Sequence, residues 1–202
     1  MVPAIAPPRA GVALLERSLA YARGALSDLR DAEGSRPTPC APWDLTDLLV
    51  HVVDSLEVVT ELALGRLARV GPPPSSHRPE VLADHVRVLG CTLLEQWTAR
   101  EGDDRAVRVG GLEVDPGLAA EVGALEVAVH GWDLAAARGH PARLPSLLAA
   151  ALLPVAVARV PADGRSVRFA PPRPLSGVDP SSVLLAHLGR DPGWPDVTDS
   201  GT

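Results

Sequence analysis

Ala124-Leu125-Glu126-Val127-Ala128-Val129-His130-Gly131-Trp132-Asp133-Leu134-Ala135 decides how this chain folds. It lies in a run from about Pro116 to Arg138 that reads as one helix, stopped by Gly139. Glu126 and His130 are four residues apart, so on a helix they project from the same face, one turn apart. Leu125, Val127, Ala128 and Val129 surround them with apolar side chains. A carboxylate in such surroundings is costly to bury unless an opposite charge pairs with it, and a metal ion would supply that charge.

Working outward, His51 sits in Leu48-Leu49-Val50-His51-Val52-Val53, the most apolar part of a second helix. That helix opens at Trp43-Asp44-Leu45-Thr46-Asp47, with Asp44 as N-cap, and is expected to run to about Val70. Further helices are expected over Ala10–Leu29, Pro79–Glu101, Leu144–Arg159 and Asp179–Leu188. Arg105 to Asp115 alternates around Gly110-Gly111 as a hairpin would, and Val167-Arg168-Phe169 reads as a short strand. The expected fold is mainly α: a four-helix bundle with a short β-hairpin and a small C-terminal α/β extension. The bundle is assigned to residues 1–160 and the extension to 161–202.

The composition agrees with this. Of the 202 residues 46% are hydrophobic but only 3% aromatic, so Leu, Val and Ala must fill the core, and Leu and Ala are strong helix formers. The net charge is -6, every cationic side chain is arginine, and no basic stripe tracks a phosphate backbone, which argues against nucleic-acid binding. No apolar run reaches the length of a membrane span, and the start of the chain lacks a basic region followed by an apolar stretch. Cys40 and Cys91 are far apart in sequence and read as free structural thiols of a cytoplasmic protein.

Bundles build metal sites from inward-pointing side chains on facing helices, and His51, Glu126 and His130 make such a three-ligand set. Spacing alone leaves a second reading open: a hydrogen-bonded core imidazole at 51 and a simple side-chain contact between 126 and 130. His77 and His85 read as solvated, His140 as a loop residue and His187 as structural. Arg138, two turns beyond His130, is a weak candidate for contact with an anionic substrate, set against a role as a partner of the helix C-terminus.

Three stretches carry a resemblance. They are Pro39-Cys40-Ala41-Pro42-Trp43-Asp44-Leu45-Thr46-Asp47-Leu48-Leu49-Val50-His51, the Ala124–Ala135 stretch quoted above, and Leu184-Leu185-Ala186-His187-Leu188-Gly189-Arg190-Asp191-Pro192. Together they resemble the DinB-like metal-binding bundles of the mycothiol-dependent maleylpyruvate isomerase type. The resemblance implies a divalent metal on His51, Glu126 and His130, with zinc first and nickel, iron or cobalt also suited to two imidazoles and a carboxylate. It implies mycothiol as co-substrate, an electrophilic small molecule as the second partner, and S-transfer, conjugation or thiol-assisted isomerisation as the reaction. A monomer or homodimer is expected, and the alternative is a non-catalytic metal-binding or stress-response bundle. The chain is shorter at its C-terminal end than the full isomerase type, so a reduced extra domain is expected over residues 163–195.

Overall fold

A computed structural model describes residues 8–66, 71–100, 105–109, 111–140, 143–161, 165, 169–175 and 178–194. The elements are α1 (Pro8–Ala25), α2 (Leu45–Leu64), α3 (Pro79–Ala99), β1 (Val107–Val109), β2 (Leu112–Val114), α4 (Pro116–Ala137), α5 (Ser146–Arg159) and α6 (Pro180–His187). A single 3-10 turn, Asp31–Glu33, follows α1.

Helices α1 to α4 form the bundle. α1 lies mainly along α4 and α3 mainly along α2, while α2 and α4 face each other across the core. On α2 the buried residues Leu45, Leu48, Leu49, Val52, Val53, Leu56 and Val59 recur at the spacing of one helical face. α4 is buried on nearly every side from Gly123 to Ala136, as a helix apolar all round must be. Its N-terminus is set by Asp115, whose carboxylate accepts from Leu118 N–H, with Pro116 in the first turn. Asp44 and Asp47 form a reciprocal capping box at the start of α2.

β1 and β2 pair antiparallel, Val107 opposite Val114 and Val109 opposite Leu112, which is the expected hairpin. α5 packs on α6 and touches α1 and α4, carrying the C-terminal segment against the bundle. No helix among the described residues is long and apolar enough to cross a membrane.

Two helix C-termini fall well short of the sequence reading. α2 ends at Leu64 rather than Val70, because Gly65 takes a left-handed conformation (φ 67°) and its N–H turns back onto the last carbonyls. α1 ends at Ala25 rather than Leu29, and Asp28 at φ 53° redirects the chain while Leu26 and Leu29 remain in the core. Two of the three residues expected as a strand, 167 and 168, lie outside the described residues.

Candidate metal centre

The site forms where α2 and α4 face each other across the core. Gly123 permits the approach: a Cβ there would stand 2.8 Å from Cγ1 of Val59 on α2. One turn further along α4, Glu126 Oε2 lies 3.2 Å from His130 Nε2 and 3.9 Å from His51 Nε2. The two imidazoles meet edge to face with centroids 4.8 Å apart. One donor atom from each of the three residues falls within 4.8 Å of the others.

These separations can be tested against a metal. Tetrahedral ligands at about 2.0–2.1 Å from a common ion stand about 3.3 Å from one another. The Glu126–His130 distance meets that value, while His51 Nε2 stands further from Glu126, at 3.9 Å, and lies 3.4 Å from Ser55 Oγ. The side chains of His51 and Glu126 are each about one third exposed (34% and 31%), so the face between them is open to a small molecule, whereas His130 is buried.

Behind His130 stands a second layer. Asp133, wholly buried, places Oδ2 3.0 Å from His130 Nδ1. Arg190 reaches the same carboxylate with Nε to Oδ1 at 3.3 Å and Nη2 to Oδ2 at 3.0 Å. The Cys40 thiol donates to Asp133 Oδ2 at 3.1 Å, and Arg190 Nη2 donates to Cys40 Sγ at 2.9 Å. With Nδ1 engaged by a carboxylate, the His130 ring is fixed and its Nε2 points toward Glu126, the arrangement that outer partners impose on metal-binding imidazoles.

Local folding explains how the distant residues arrive. Thr38 Oγ1 accepts from Cys40 N–H (3.1 Å) and donates to Trp43 carbonyl (2.8 Å), folding the proline-rich loop before α2 into a turn. That turn presents Cys40 to Asp133 and lays the Trp43 ring against His51 at 4.7 Å. Arg190 comes from the far end of the chain. Gly189 at φ 83° closes α6, and a Cβ there would meet the Ala170 carbonyl at 2.7 Å, so glycine is required for the turn that sends Arg190 inward.

The charges explain the titration behaviour. Burial would push the Glu126 carboxyl up, but hydrogen bonds from His130 and His51 outweigh it and hold it well below the carboxylate range. Burial would likewise raise Asp133, yet the charge of Arg190 and the bond to His130 hold it at about 2. Burial opposes the charged form of His130, but Asp133, Cys40 and Glu126 together raise it well above its ordinary value. Burial holds the Cys40 thiol above its usual range. Two carboxylates thus face one guanidinium, and the cluster calls for one more positive charge at His130 Nε2. A proton or a divalent cation can provide it, which is the fit expected of a cation site. Cys40, His130 and Asp133 also form a group of ligand type. There the Arg190 cation already neutralises Asp133 and would repel a second ion.

Sequence reasoning brought His51, Glu126 and His130 together. Arg138 is placed elsewhere: buried, it donates from Nη1 to the Ala25 and Ser27 carbonyls (2.7 and 2.8 Å) and from Nε to Glu33 (3.2 Å). It ties down the end of α1, not its own helix end, and the suggested anion contact gives way to this buried tie. Cys40 is more than a packing thiol, since it completes the layer behind His130. His85 is half-buried rather than solvated. The sequence alone assigns no role to Asp133 or Arg190, and the Gly-Arg pair after a helix stop is the signal available for Arg190.

The fold and donor set define a DinB-like helical bundle with two histidines and a glutamate on facing helices. Residues 15–135 match the family described as the mycothiol maleylpyruvate isomerase N-terminal domain, and the chain belongs to that family. Two uncharacterized proteins of Mycobacterium tuberculosis, from strains CDC 1551 / Oshkosh and ATCC 25618 / H37Rv, are each 30% identical over 168 residues, covering 82% of this chain and 89% of theirs. The crystal structure of the mycothiol-dependent maleylpyruvate isomerase shares the fold with a TM-score of 0.54 at 17% identity, over 76% of this chain and 69% of that one.

Proposed function

We propose that this protein is a metal-dependent thiol-handling enzyme whose ion is held by His51, Glu126 and His130. The observation that carries the reading is the convergence of these donors above an imidazole fixed by Asp133. When bound, a divalent ion such as zinc lowers the pKa of a thiol, so that a small thiol of the mycothiol class is available as thiolate at neutral pH. The protein's own groups do the rest. Trp43 steadies the His51 ring, Asp133 keeps Nδ1 of His130 engaged, and Arg190 holds Asp133 ionised. The open face between His51 and Glu126 admits the thiol and an electrophile. Conjugation forms one C–S bond and expels a leaving group with its electron pair; isomerisation forms that bond and then breaks it. In this reading residues 1–160 carry the site, and residues 161–202 form an extension that delivers Arg190.

Purified protein, stripped of metal and reloaded with zinc, is incubated with mycothiol and an activated electrophile such as chlorodinitrobenzene. Zinc-dependent loss of thiol that disappears in His51→Ala is the expected result. Zinc binding with no thiol consumption across a panel of electrophiles would replace the enzyme reading with a metal-binding bundle.

A further inference from the structure

We propose that the Ser55 hydroxyl is a further binding group of this site, which donates a hydrogen bond to the sulfur of the thiol that takes the ion's open position. Ser55 has this part only if the metal-dependent reading above holds, and that reading leaves it without a task. It stands four residues after His51 on α2, so the two side chains share a face one turn apart. Its Oγ lies 3.4 Å from His51 Nε2, the same nitrogen that Glu126 Oε2 faces at 3.9 Å. Ser55 is half-buried and lines a small pocket between α2 and α4 together with Glu126 and His130. The rest of that wall is Gly123 and aliphatic side chains such as Val52 and Val59, which offer a ligand no side-chain hydrogen bond.

A hydroxyl inside a helix commonly bonds the backbone carbonyl one turn back. Ser18 does so to Leu14 at 3.0 Å, and Thr60, on the same helix as Ser55, to Leu56 at 2.7 Å. Ser55 instead turns its hydroxyl to a ring nitrogen that a cation would claim. The contrast with His130 is informative. There the outer partner, Asp133, engages Nδ1 from behind the ring and leaves Nε2 to the ion. Ser55 engages His51 in front, at the nitrogen beside Glu126, on the side where a ligand of the ion would lie. An ion on His51 takes the lone pair of Nε2, so the hydroxyl then needs another acceptor. A site with three protein ligands keeps a further position for water or substrate. In the reading above a thiolate sulfur fills it, and an ionised acceptor draws a stronger hydrogen bond than a neutral one.

The full chain, loaded with zinc or with cobalt, is titrated with mycothiol and with N-acetylcysteine as a simpler probe. Wild type, Ser55→Ala and Ser55→Thr are compared. Alanine is a strong helix former, so Ser55→Ala keeps α2 intact. Its zinc affinity, measured by competition with a chromophoric chelator, should be unchanged, because the hydroxyl is not a ligand of the ion. Its thiol affinity should fall about tenfold, the loss of one hydrogen bond to a charged acceptor. Ser55→Thr, which keeps the hydroxyl, should recover most of that loss. In the cobalt-loaded protein the sulfur-to-cobalt charge-transfer band should move to longer wavelength in Ser55→Ala, since a hydrogen bond lowers the energy of the sulfur lone pair. Thiol binding as tight in Ser55→Ala as in the wild type, with the band unmoved, would overturn the role of Ser55 and leave the metal-dependent reading standing. A loss of zinc affinity that accounts for the loss of thiol affinity would overturn it as well, by reducing Ser55 to a prop of the His51 ring. A wild type that takes up no zinc, or zinc but no thiol, would overturn both.

Discussion

His130 Nδ1 and Asp133 Oδ2 stand 3.0 Å apart, one turn apart on α4, inside the bundle. The pair converts a helical histidine into an oriented donor, because the carboxylate fixes which ring nitrogen is left for Glu126 and His51. Arg190 in turn keeps the carboxylate charged. A chain of three residues therefore runs from the C-terminal segment to the donor set.

Asp133→Asn keeps the shape of this contact and removes its charge. Zinc affinity, measured by competition with a chromophoric chelator, should fall by about 10- to 100-fold, as when an outer partner of a ligand is lost. Unchanged affinity would remove Asp133 from the account.

The charge network also sets a pH dependence for the metal-free protein. Asp133 has its pKa lowered from 3.8 to about 2 on folding, so it contributes stability above the unfolded value, about 2 kcal/mol, lost as pH falls from near 4 through 2. His130 is shifted upward, so its contribution is complete below about 6.5 and is lost as pH rises through its folded value. Thermal melts with a chelator should therefore show stability falling on the alkaline side. Zinc should reverse that fall, since it takes the place of the proton.

Gly123 sets the spacing between α2 and α4. Gly123→Ala should cost about 1–3 kcal/mol in urea unfolding by overpacking against Val59, and should weaken zinc binding by moving His51 away from Glu126. Val59→Ala in the same chain should recover much of both losses. Failure of the second change to help would show that the helix spacing is set elsewhere.

Arg138 separates structure from chemistry. Arg138→Ala removes the donor of the Ala25 and Ser27 carbonyls and the buried ion-pair partner of Glu33, which keeps only Arg36 and the Arg30 N–H, and should destabilise the protein by about 3 kcal/mol, in the range for breaking a buried pair. Zinc stoichiometry should not change.

The sequence carried much of this. The face of α2, the cap at Asp44, the all-round apolar α4 and the hairpin at Gly110-Gly111 are local patterns whose periods and turn residues are readable without tertiary information. His51, Glu126 and His130 were legible because two share a helix face and the third stands out in an apolar run. Arg190 and Cys40 were not, because their contacts with Asp133 and with each other span 57, 93 and 150 residues and no local period encodes them, whereas Asp133 stands three residues from His130 on the same helix, within reach of the same spacing argument. The end of α2 was overrun for a different reason: the apolar pattern continues past Gly65, and only its left-handed conformation stops the helix.

The most direct test is elemental analysis of the metal-stripped protein after reloading with zinc and removal of free ion, for the wild type and for His51→Ala and Glu126→Ala. The account predicts about one zinc per wild-type chain and a large loss in both variants, with circular dichroism unchanged. Metal-free wild type, or wild-type stoichiometry in both variants, would contradict it.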